Sequence, residues 1–388
     1  MKAETMEPLH LTSLTLESFG AFRQATLAPL GALTVLVGRH GVGKSTVLGV
    51  FDLMKRALRE GASEAFERAG SFAELRHRAT TGPVRFTFEL SSGHHYEIAF
   101  ASDGAEVTVE HEELRLADLG LFQFSRGTGT VLVNEHAAPD PDAEPEYAEF
   151  GASQRGALGL SVVGALVKNT TAARVLGFFE SCSSFRPNPA AIRGQVAARE
   201  GGKRLAADAS NLGAVLRELG RSAPTALDRV MRFATHYVPG LEGVDAREEI
   251  AQHVRLWLRE SGGAPLPASL ASDGTLRLLS LATLLYGPQA SGLLCLDEPE
   301  VELHHAVFPE LVEGLRALGD DGRQVFMVTH STDLLNAVDV DEAFVIQKNA
   351  VGSVVRAAAS DADVVSLLEA GDALGALWRQ GILDTTRA

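Results

Sequence analysis

The most informative stretch of this 388-residue sequence is Gly38-Arg39-His40-Gly41-Val42-Gly43-Lys44-Ser45. It fits the pattern G-x-x-x-x-G-K-[ST], whose glycines let backbone N–H groups curl around phosphate oxygens. The short apolar run of residues 33–37 precedes it, and residues 44–60 follow with the apolar spacing of an amphipathic helix. The sequence therefore predicts a buried strand, a phosphate-binding loop and a helix whose N-terminus faces the phosphates.

A pair of carboxylates lies 253 residues after Lys44, at the end of another apolar run. Residues 293–296 are typical of a buried strand, and Asp297 and Glu298 follow directly. Beside a phosphate-binding loop, Asp297 is expected to hold Mg²⁺ with the hydroxyl of Ser45, and Glu298 to orient and polarise an attacking water. The long interval excludes a compact hexameric AAA+ module, which would place these motifs much closer together.

Two further elements belong to the predicted site. Ser272 and Gly274 precede the apolar helical pattern of residues 276–285, and a helix N-terminus favours an anion. His330 follows the apolar run of residues 325–328, where a histidine can contact the terminal phosphate.

This set of motifs resembles ABC-type ATPases of the RecF, SMC and OLD-like branch. It is most similar to the stand-alone bacterial ATPases of the AAA family that have neither a long coiled coil nor a Toprim domain. In that family Ser272-Asp273-Gly274-Thr275 would be the signature, and Leu296–Glu300 would be Walker B. The resemblance implies ATP and Mg²⁺ as cofactors. It implies Lys44, Glu298 and His330 as catalytic residues, with His330 as the switch histidine.

The resemblance also assigns nucleotide contacts to a larger set of residues. The residues expected to bind the nucleotide are Gly38, Arg39, His40, Gly41, Val42, Gly43, Lys44, Ser45, Thr46, Ser272, Gly274 and Gln154. For the Q-loop glutamine, Gln154 before a predicted helix fits better than Gln123. The sequence departs from the family at His40, where asparagine is usual, and at Val301-Glu302, where Asn-Gly is common.

The remaining patterns predict the fold and its division. Residues 84–109 alternate with period two, as an antiparallel meander does, and residues 154–260 have mostly helical patterns. We expect an α/β P-loop NTPase of the ABC ATPase-like type, with a β meander and a helical insertion between Walker A and the signature. The predicted parts are residues 1–150 and 266–388 as two ATPase lobes, and 151–265 as a mainly helical insertion lobe.

Several local features are also predicted. Residues 137–149, rich in Pro, Asp and Glu, are typical of an exposed acidic loop. Ser210-Asn211 is expected to cap a helix that begins at Leu212. Residues 338–345 and 351–355 are candidates for edge strands.

Composition points to a globular protein of the cytoplasm. Hydrophobic residues make up 45% and charged residues 22%, and no apolar run is long enough for a membrane span. The first ten residues lack the pattern of a secretory signal. Cys182 and Cys295 are expected to be buried thiols in a reducing compartment. The net charge of −15 argues against a basic coat for nucleic acid.

The resemblance implies that the chain works as a dimer that closes on ATP. Ser272 of one subunit would cap the γ-phosphate that Lys44 of the other subunit holds, in a homodimer or a higher oligomer. Only 58 residues follow His330 and they offer no evident metal cluster. We therefore favour an ATP-switched sensor or scaffold that controls a separately encoded effector protein, in antiphage defence.

Two other functions stay open at this stage. One is a RecF-like ATPase of DNA maintenance, because residues 151–260 carry 15 basic against 10 acidic side chains and can contact DNA or RNA. The basic residues considered for such contacts are Lys168, Arg174, Arg186, Arg193, Arg199, Lys203 and Arg204. The other is a structural nucleotide-binding module without hydrolysis, which the presence of Glu298 disfavours.

Overall fold

The computed structural model describes residues 8–132, 146–152, 156–166, 171–194, 196–197, 204–249, 253–288, 292–320 and 322–384. The strands in chain order are β1 (Leu11–Phe19), β2 (Phe22–Leu27), β3 (Leu33–Val37), β4 (Val84–Leu90), β5 (His94–Ser102), β6 (Val107–Leu116), β7 (Leu119–Ser125), β8 (Thr128–Leu132), β9 (Tyr147–Gly151), β10 (Ser183–Phe185), β11 (Val196–Ala197), β12 (Leu241–Glu249), β13 (His253–Glu260), β14 (Leu266–Pro267), β15 (Gly292–Asp297), β16 (Arg323–Thr329), β17 (Ala343–Lys348) and β18 (Ser353–Ala357). The helices are α1 (Lys44–Glu60), α2 (Ala62–Ala69), α3 (Phe72–Leu75), α4 (Gly159–Leu166), α5 (Thr171–Ser181), α6 (Pro189–Ile192), α7 (Leu212–Ser222), α8 (Pro224–Tyr237), α9 (Asp273–Tyr286), α10 (Phe308–Asp320), α11 (Thr332–Leu335), α12 (Ala362–Glu369) and α13 (Leu374–Arg379).

A six-stranded sheet forms the centre, in the order β10-β15-β16-β3-β17-β18. Every neighbouring pair is parallel except β17 and β18. All five residues of β3 are buried, as the unbroken apolar run predicts for a strand covered on both faces. The carboxyl ends of β3, β15 and β16 lie at one edge, which is where ligands bind in sheets of this kind. This arrangement brings the phosphate-binding loop, the carboxylates and His330 to the same edge.

A second sheet is antiparallel, in the order β2-β1-β4-β5-β6-β7-β8-β9. The predicted meander is confirmed, and the structure extends it to eight strands. Its alternating side chains bury one face, and helix α1 packs between the two sheets through Phe51. The Phe51 ring lies 5.3 Å from that of Phe326 on β16 and 6.5 Å from that of Phe88 on β4. Helix α1 therefore joins the two sheets through a shared aromatic core.

The segment between the two ATPase motifs contains strands as well as helices α4–α8. Strands β12 and β13 form a long antiparallel hairpin that the mostly helical prediction for residues 154–260 did not include. Its signal was present in the alternation of Val254, Leu256 and Leu258, all of which are buried. In addition, β10 pairs with β15 and forms the edge of the central sheet. The division at residues 150 and 265 remains a prediction.

The acidic loop predicted at residues 137–149 is described only in part by the structure. Most of the predicted acidic loop, residues 137–145, lies outside the described residues. Its end was predicted wrongly, because residues 147–151 form β9 and pair with β8. The proline and acidic composition of the whole window masked the short strand at its end.

The other local expectations concern one helix and two strands. The helix that begins at Leu212 is confirmed, but the Asn211 side chain does not cap it. The Asn211 side chain instead accepts the N–H of Ala206 and donates to the carbonyl of Arg204, each at 2.8 Å. The strand predicted at residues 338–345 begins only at Ala343, because residues 340–342 form a short 3₁₀ turn. The strand predicted at residues 351–355 is β18, which begins at Ser353.

The predicted α/β fold class is confirmed, with a mainly parallel central sheet and an antiparallel meander. Cys182 and Cys295 are both buried and free, as predicted. None of the helices within the described ranges has the length and apolar character that crossing a membrane requires.

Candidate nucleotide-binding site

The phosphate-binding loop joins β3 to α1, and two of its glycines are required by close packing. Gly43 has a φ of +104°, and a Cβ there would lie 2.8 Å from the Cβ of Ala21. A Cβ on Gly38 would overlap the carbonyl of Ile346. These positions keep the loop backbone tight against β17 and the β1–β2 turn, which leaves its N–H groups free to face phosphates.

Lys44 begins helix α1, and its side chain is almost completely buried. Its Nζ donates to the carbonyl of Gly38 at 2.7 Å and to that of Arg39 at 2.9 Å. An ammonium group has three N–H donors, so one remains for a phosphate oxygen. Burial lowers the pKa of Lys44, and the nearby carboxylates of Glu298 and Asp297 oppose that shift.

A cavity of about 320 Å³ lies over the loop. Its lining residues are Ala21, His40, Gly41, Gly43, Lys44, Ser45, Thr46, Glu298, Val328 and His330. Three predicted elements therefore meet there: the loop, the Walker B glutamate and the switch histidine. Three loop residues do not line it: Gly38 packs on β17, Val42 is buried, and Arg39 is exposed and paired with Asp384.

Glu298 and His330 face each other across this cavity. His330 Nε2 lies 3.4 Å from Glu298 Oε1, and the His330 ring stacks on that of His40 with centroids 4.1 Å apart. Glu298 has a φ of +48°, a left-handed conformation that costs a non-glycine residue on the order of 1–3 kcal/mol. Its N–H donates to the carbonyl of Val328 at 3.0 Å, which ties this strained residue to β16.

Asp297 is not among the residues that line the cavity and instead faces Arg186. One oxygen of Asp297 lies 3.5 Å from Arg186 Nη1. Burial raises the pKa of Asp297, while Arg186 and Lys44 oppose the shift. Arg186 follows β10, and because β10 neighbours β15 the two side chains meet at the sheet edge.

Glu300 is a residue whose role the sequence analysis did not assign. It is buried and accepts hydrogen bonds from Thr329 Oγ1 at 2.5 Å and from the N–H of His330 at 3.0 Å. Burial raises the pKa of its carboxyl. Glu300 therefore fixes the backbone of His330 relative to Walker B, and its signal was the second glutamate of Asp-Glu-Pro-Glu.

The predicted signature lies at the N-terminus of α9. Ser272 Oγ caps this helix by accepting the N–H of Thr275 at 3.1 Å. Arg193 donates to the carbonyl of Ala271 at 2.8 Å and forms an ion pair with Asp273. Neither Ser272 nor Gly274 lines the cavity of the same chain.

A second set of contacts joins the signature helix to the segment after Walker B. A Cβ on Gly274 would lie 2.6 Å from the carbonyl oxygen of Glu302, so only glycine fits there. The Glu302 carboxylate accepts from Arg277 Nε at 2.9 Å. Glu302 has a φ of +64°, and this residue stands where the family commonly has glycine.

Other predicted residues lie elsewhere or outside the described part of the chain. Gln154 is outside the described residues. The alternative, Gln123 on β7, donates to Glu113 at 3.1 Å and does not line the cavity. Of the residues considered for DNA contact, Lys168, Arg199 and Lys203 also lie outside. The structure pairs Arg186 with Asp297 of the predicted Walker B and Arg193 with Asp273 of the predicted signature.

Comparison with known proteins agrees with these motifs. Residues 188–336 match the family model described as "AAA domain, putative AbiEii toxin, Type IV TA system". This range includes the signature, Walker B and His330. The resemblance to ABC-type AAA ATPases is confirmed. The matched residues also include Arg193 and the β12–β13 hairpin.

The individual relatives have low sequence identity to this chain. The chain is 29% identical over 98 residues to the Old nuclease of Escherichia phage P2, which is 23% of this chain and 17% of that protein. The chain thus spans about a sixth of the length of that relative. Two solved structures are similar to this chain. One is an SMC head bound to the C-winged helix domain of ScpA, and the other is the SMC head domain of Thermotoga maritima. The first has a TM-score of 0.49 at 12% identity, with coverage of 89% of this chain and 97% of that chain. The second has a TM-score of 0.40 at 16% identity, with coverage of 90% and 98%.

Proposed function

We propose that this protein binds ATP in the cavity over the phosphate-binding loop and hydrolyses it as an ATP-bridged homodimer. The observation that carries the proposal is the convergence of Lys44, Glu298 and His330 on one cavity. These residues come from three parallel strands whose carboxyl ends share an edge. The family match to AAA domains supports nucleotide binding.

The residues present also suit Mg²⁺ beside the phosphates. The Ser45 hydroxyl and the Asp297 carboxylate are oxygen donors, the ligand class that Mg²⁺ prefers, and each lies next to a motif that contacts the cavity. When bound, Mg²⁺ supplies positive charge against the β- and γ-phosphates. Asp297 is half-buried, which is consistent with a partner cation, a place that Arg186 takes in this structure.

The side chains around the cavity have distinct tasks in the proposed reaction. Lys44 has one free donor for a phosphate oxygen. Glu298 accepts a hydrogen bond from the attacking water and aligns it with the γ-phosphate. His330 is held beside Glu298 and contacts the γ-phosphate from the opposite side of the loop. Positioning and charge stabilisation of this kind account for most of the catalysis in phosphoryl transfer.

A single chain leaves the outer face of the γ-phosphate open. The Ser272 tip is the N-terminus of α9, the end of a helix that favours an anion, yet it does not line the cavity of its own chain. In the proposed dimer this tip from one protomer closes the cavity of the other. Contacts of Arg193 and Glu302 hold the tip in place.

We further propose that the ATP cycle in the cytoplasm controls a separately encoded effector, in defence against phage. The matched family carries a toxin of a type IV toxin–antitoxin system in its description, and the matched relative is a phage nuclease. Both names link this ATPase module to effectors and to phage. A DNA-maintenance role receives less support, because Arg186 and Arg193 are engaged at the ATPase motifs.

Two substitutions test the proposed function. Lys44→Ala is expected to abolish ATP binding, because it removes the buried cation from the loop. Arg56→Ala, an exposed residue on the same helix, is the matched control and should bind ATP as the wild type does. Binding of a fluorescent ATP analogue measures both, and unchanged affinity of Lys44→Ala would refute the site.

Glu298→Gln tests hydrolysis and dimerisation together. The amide keeps the shape of Glu298 but is a poor acceptor for the water proton, so bound ATP should persist. Light scattering with saturating ATP and Mg²⁺ should show a stable dimer, and turnover should fall about 100-fold or more. A variant that stays monomeric under these conditions would refute the ATP-bridged dimer.

A further inference from the structure

His40 is the loop residue at which this sequence departs from the usual asparagine, and it has a specific contact. Its ring stacks on the His330 ring with centroids 4.1 Å apart and an interplanar angle of 27°. Both rings line the cavity over the loop. An asparagine side chain has no ring and cannot make this contact. The histidine therefore adds an interaction between the phosphate-binding loop and the end of β16.

The His330 side chain needs such a contact because its other partners do not fix the ring. Its backbone N–H is held by Glu300 at 3.0 Å, which positions the Cα but leaves the side chain free to rotate. The distance of 3.4 Å from Nε2 to Glu298 Oε1 exceeds that of a normal N–H···O hydrogen bond. A stacked ring restricts rotation of the imidazole about its side-chain bonds, and ring pairs contribute about 0.5–1.5 kcal/mol.

We propose that His40 is a positioning residue that holds the His330 imidazole beside Glu298, in the orientation that meets the γ-phosphate. The inference rests on the proposed ATPase function, because it assigns His330 a task at the phosphate. His40 acts through His330 and is not itself required to touch the nucleotide.

The charges around the two rings give the arrangement a pH dependence. Burial lowers the pKa of His330, and the nearby Lys44 and His40 lower it further, while Glu298 opposes them. The neutral imidazole of His330 is therefore favoured, and this form adds no positive charge next to Lys44. Replacing His40 by asparagine opens the stacked face to water and removes one of the neighbours that lower the pKa of His330. Both changes move the pKa of His330 back toward its ordinary value.

The test compares His40→Asn with His40→Phe, which keeps a flat ring but does not titrate. We expect kcat of His40→Asn to fall between about 10- and 100-fold, as misplacement of a reacting group does, with KM for ATP within about 2-fold of the wild type. His40→Phe should keep kcat within about 3-fold, because stacking is retained. In His40→Asn the acidic limb of the pH profile of kcat should shift to higher pH, because His330 protonates more readily. His111→Asn, on strand β6, is the matched control and should behave as the wild type.

Several outcomes would overturn the inference while leaving the proposed function intact. One is a wild-type kcat in His40→Asn together with a strong loss in His330→Ala. Another is a rise in KM at unchanged kcat, which would make His40 a direct nucleotide contact. Equal losses in His40→Asn and His40→Phe would show that the ring stack is not what matters. By contrast, absence of ATP binding and turnover in the wild type would refute the proposed function itself.

Discussion

Replacing Gly274 by alanine provides a severe test of the signature assignment. A Cβ at this position would lie 2.6 Å from the carbonyl oxygen of Glu302, whereas carbon–oxygen contacts are rarely closer than about 3.3 Å. The contact must therefore open by about 0.7 Å. Overpacking of this size costs about 1–3 kcal/mol of stability, and it displaces either the N-terminus of α9 or the backbone at Glu302.

Both of these segments belong to the proposed dimer interface. Glu302 is held by the ion pair with Arg277, and Ser272 lies two residues before Gly274 on the signature tip. A shift of either moves the Ser272 tip relative to the cavity of the partner. We expect kcat to fall between about 10- and 100-fold. The affinity of the single chain for ATP should stay within about 2-fold of wild type, because Gly274 does not line its cavity.

The assay measures ATP turnover, binding of a fluorescent ATP analogue, and assembly of the Glu298→Gln variant with and without Gly274→Ala. Gly49→Ala is the matched control, because this glycine lies inside helix α1 and a Cβ there meets nothing within 4 Å. The control should be active and about 1 kcal/mol more stable. Wild-type turnover and ATP-driven assembly in Gly274→Ala would refute the assignment of this segment as the tip that closes the partner's cavity.

Two other predictions concern buried and exposed charges. Glu112 is buried and accepts from Tyr96 at 2.9 Å and from the N–H groups of Gly159 and Leu160, yet burial raises its pKa from 4.5 to about 7. The folded chain thus binds this proton more tightly than the unfolded chain, so the stabilisation is complete below pH 4.5 and is lost as pH rises through 7. From below pH 4.5 to above pH 7, the free energy of unfolding measured with urea should change by about 3 kcal/mol less in Glu112→Gln than in the wild type. The same change with pH in both proteins would contradict this. Arg186→Ala should lower the Mg²⁺ concentration needed for half-maximal ATP binding, by up to about 5-fold, because an exposed pair with Asp297 contributes at most about 1 kcal/mol. A higher Mg²⁺ requirement in this titration would show that Arg186 supports the nucleotide instead.

Some of the candidate site was predictable because its signals are local. The phosphate-binding loop is contiguous, and its glycines, lysine and following helix are read within one window of residues. The strand before Asp297 and the helix after Ser272 were predicted in the same way, and the structure shows them as β15 and α9. The hairpin β12–β13 was missed although its alternation was visible, because the helical patterns on its N-terminal side outweighed a short period-two signal.

Consecutive residues are enough to predict much of the local backbone: the loop, most strands of the central sheet and the helices beside them. Backbone hydrogen bonds and apolar periodicity act over a few residues, so they leave a trace in consecutive letters. Which side chains meet at the site depends on the three-dimensional fold, as with Arg186 beside Asp297, Arg193 on Asp273 and His40 stacked on His330. The partners in these pairs are separated by 80 or more residues in the chain. For Arg186 with Asp297 and for His40 with His330, the meeting depends on the order in which parallel strands join the sheet. Strand order is a property of long-range packing and has no period in the sequence.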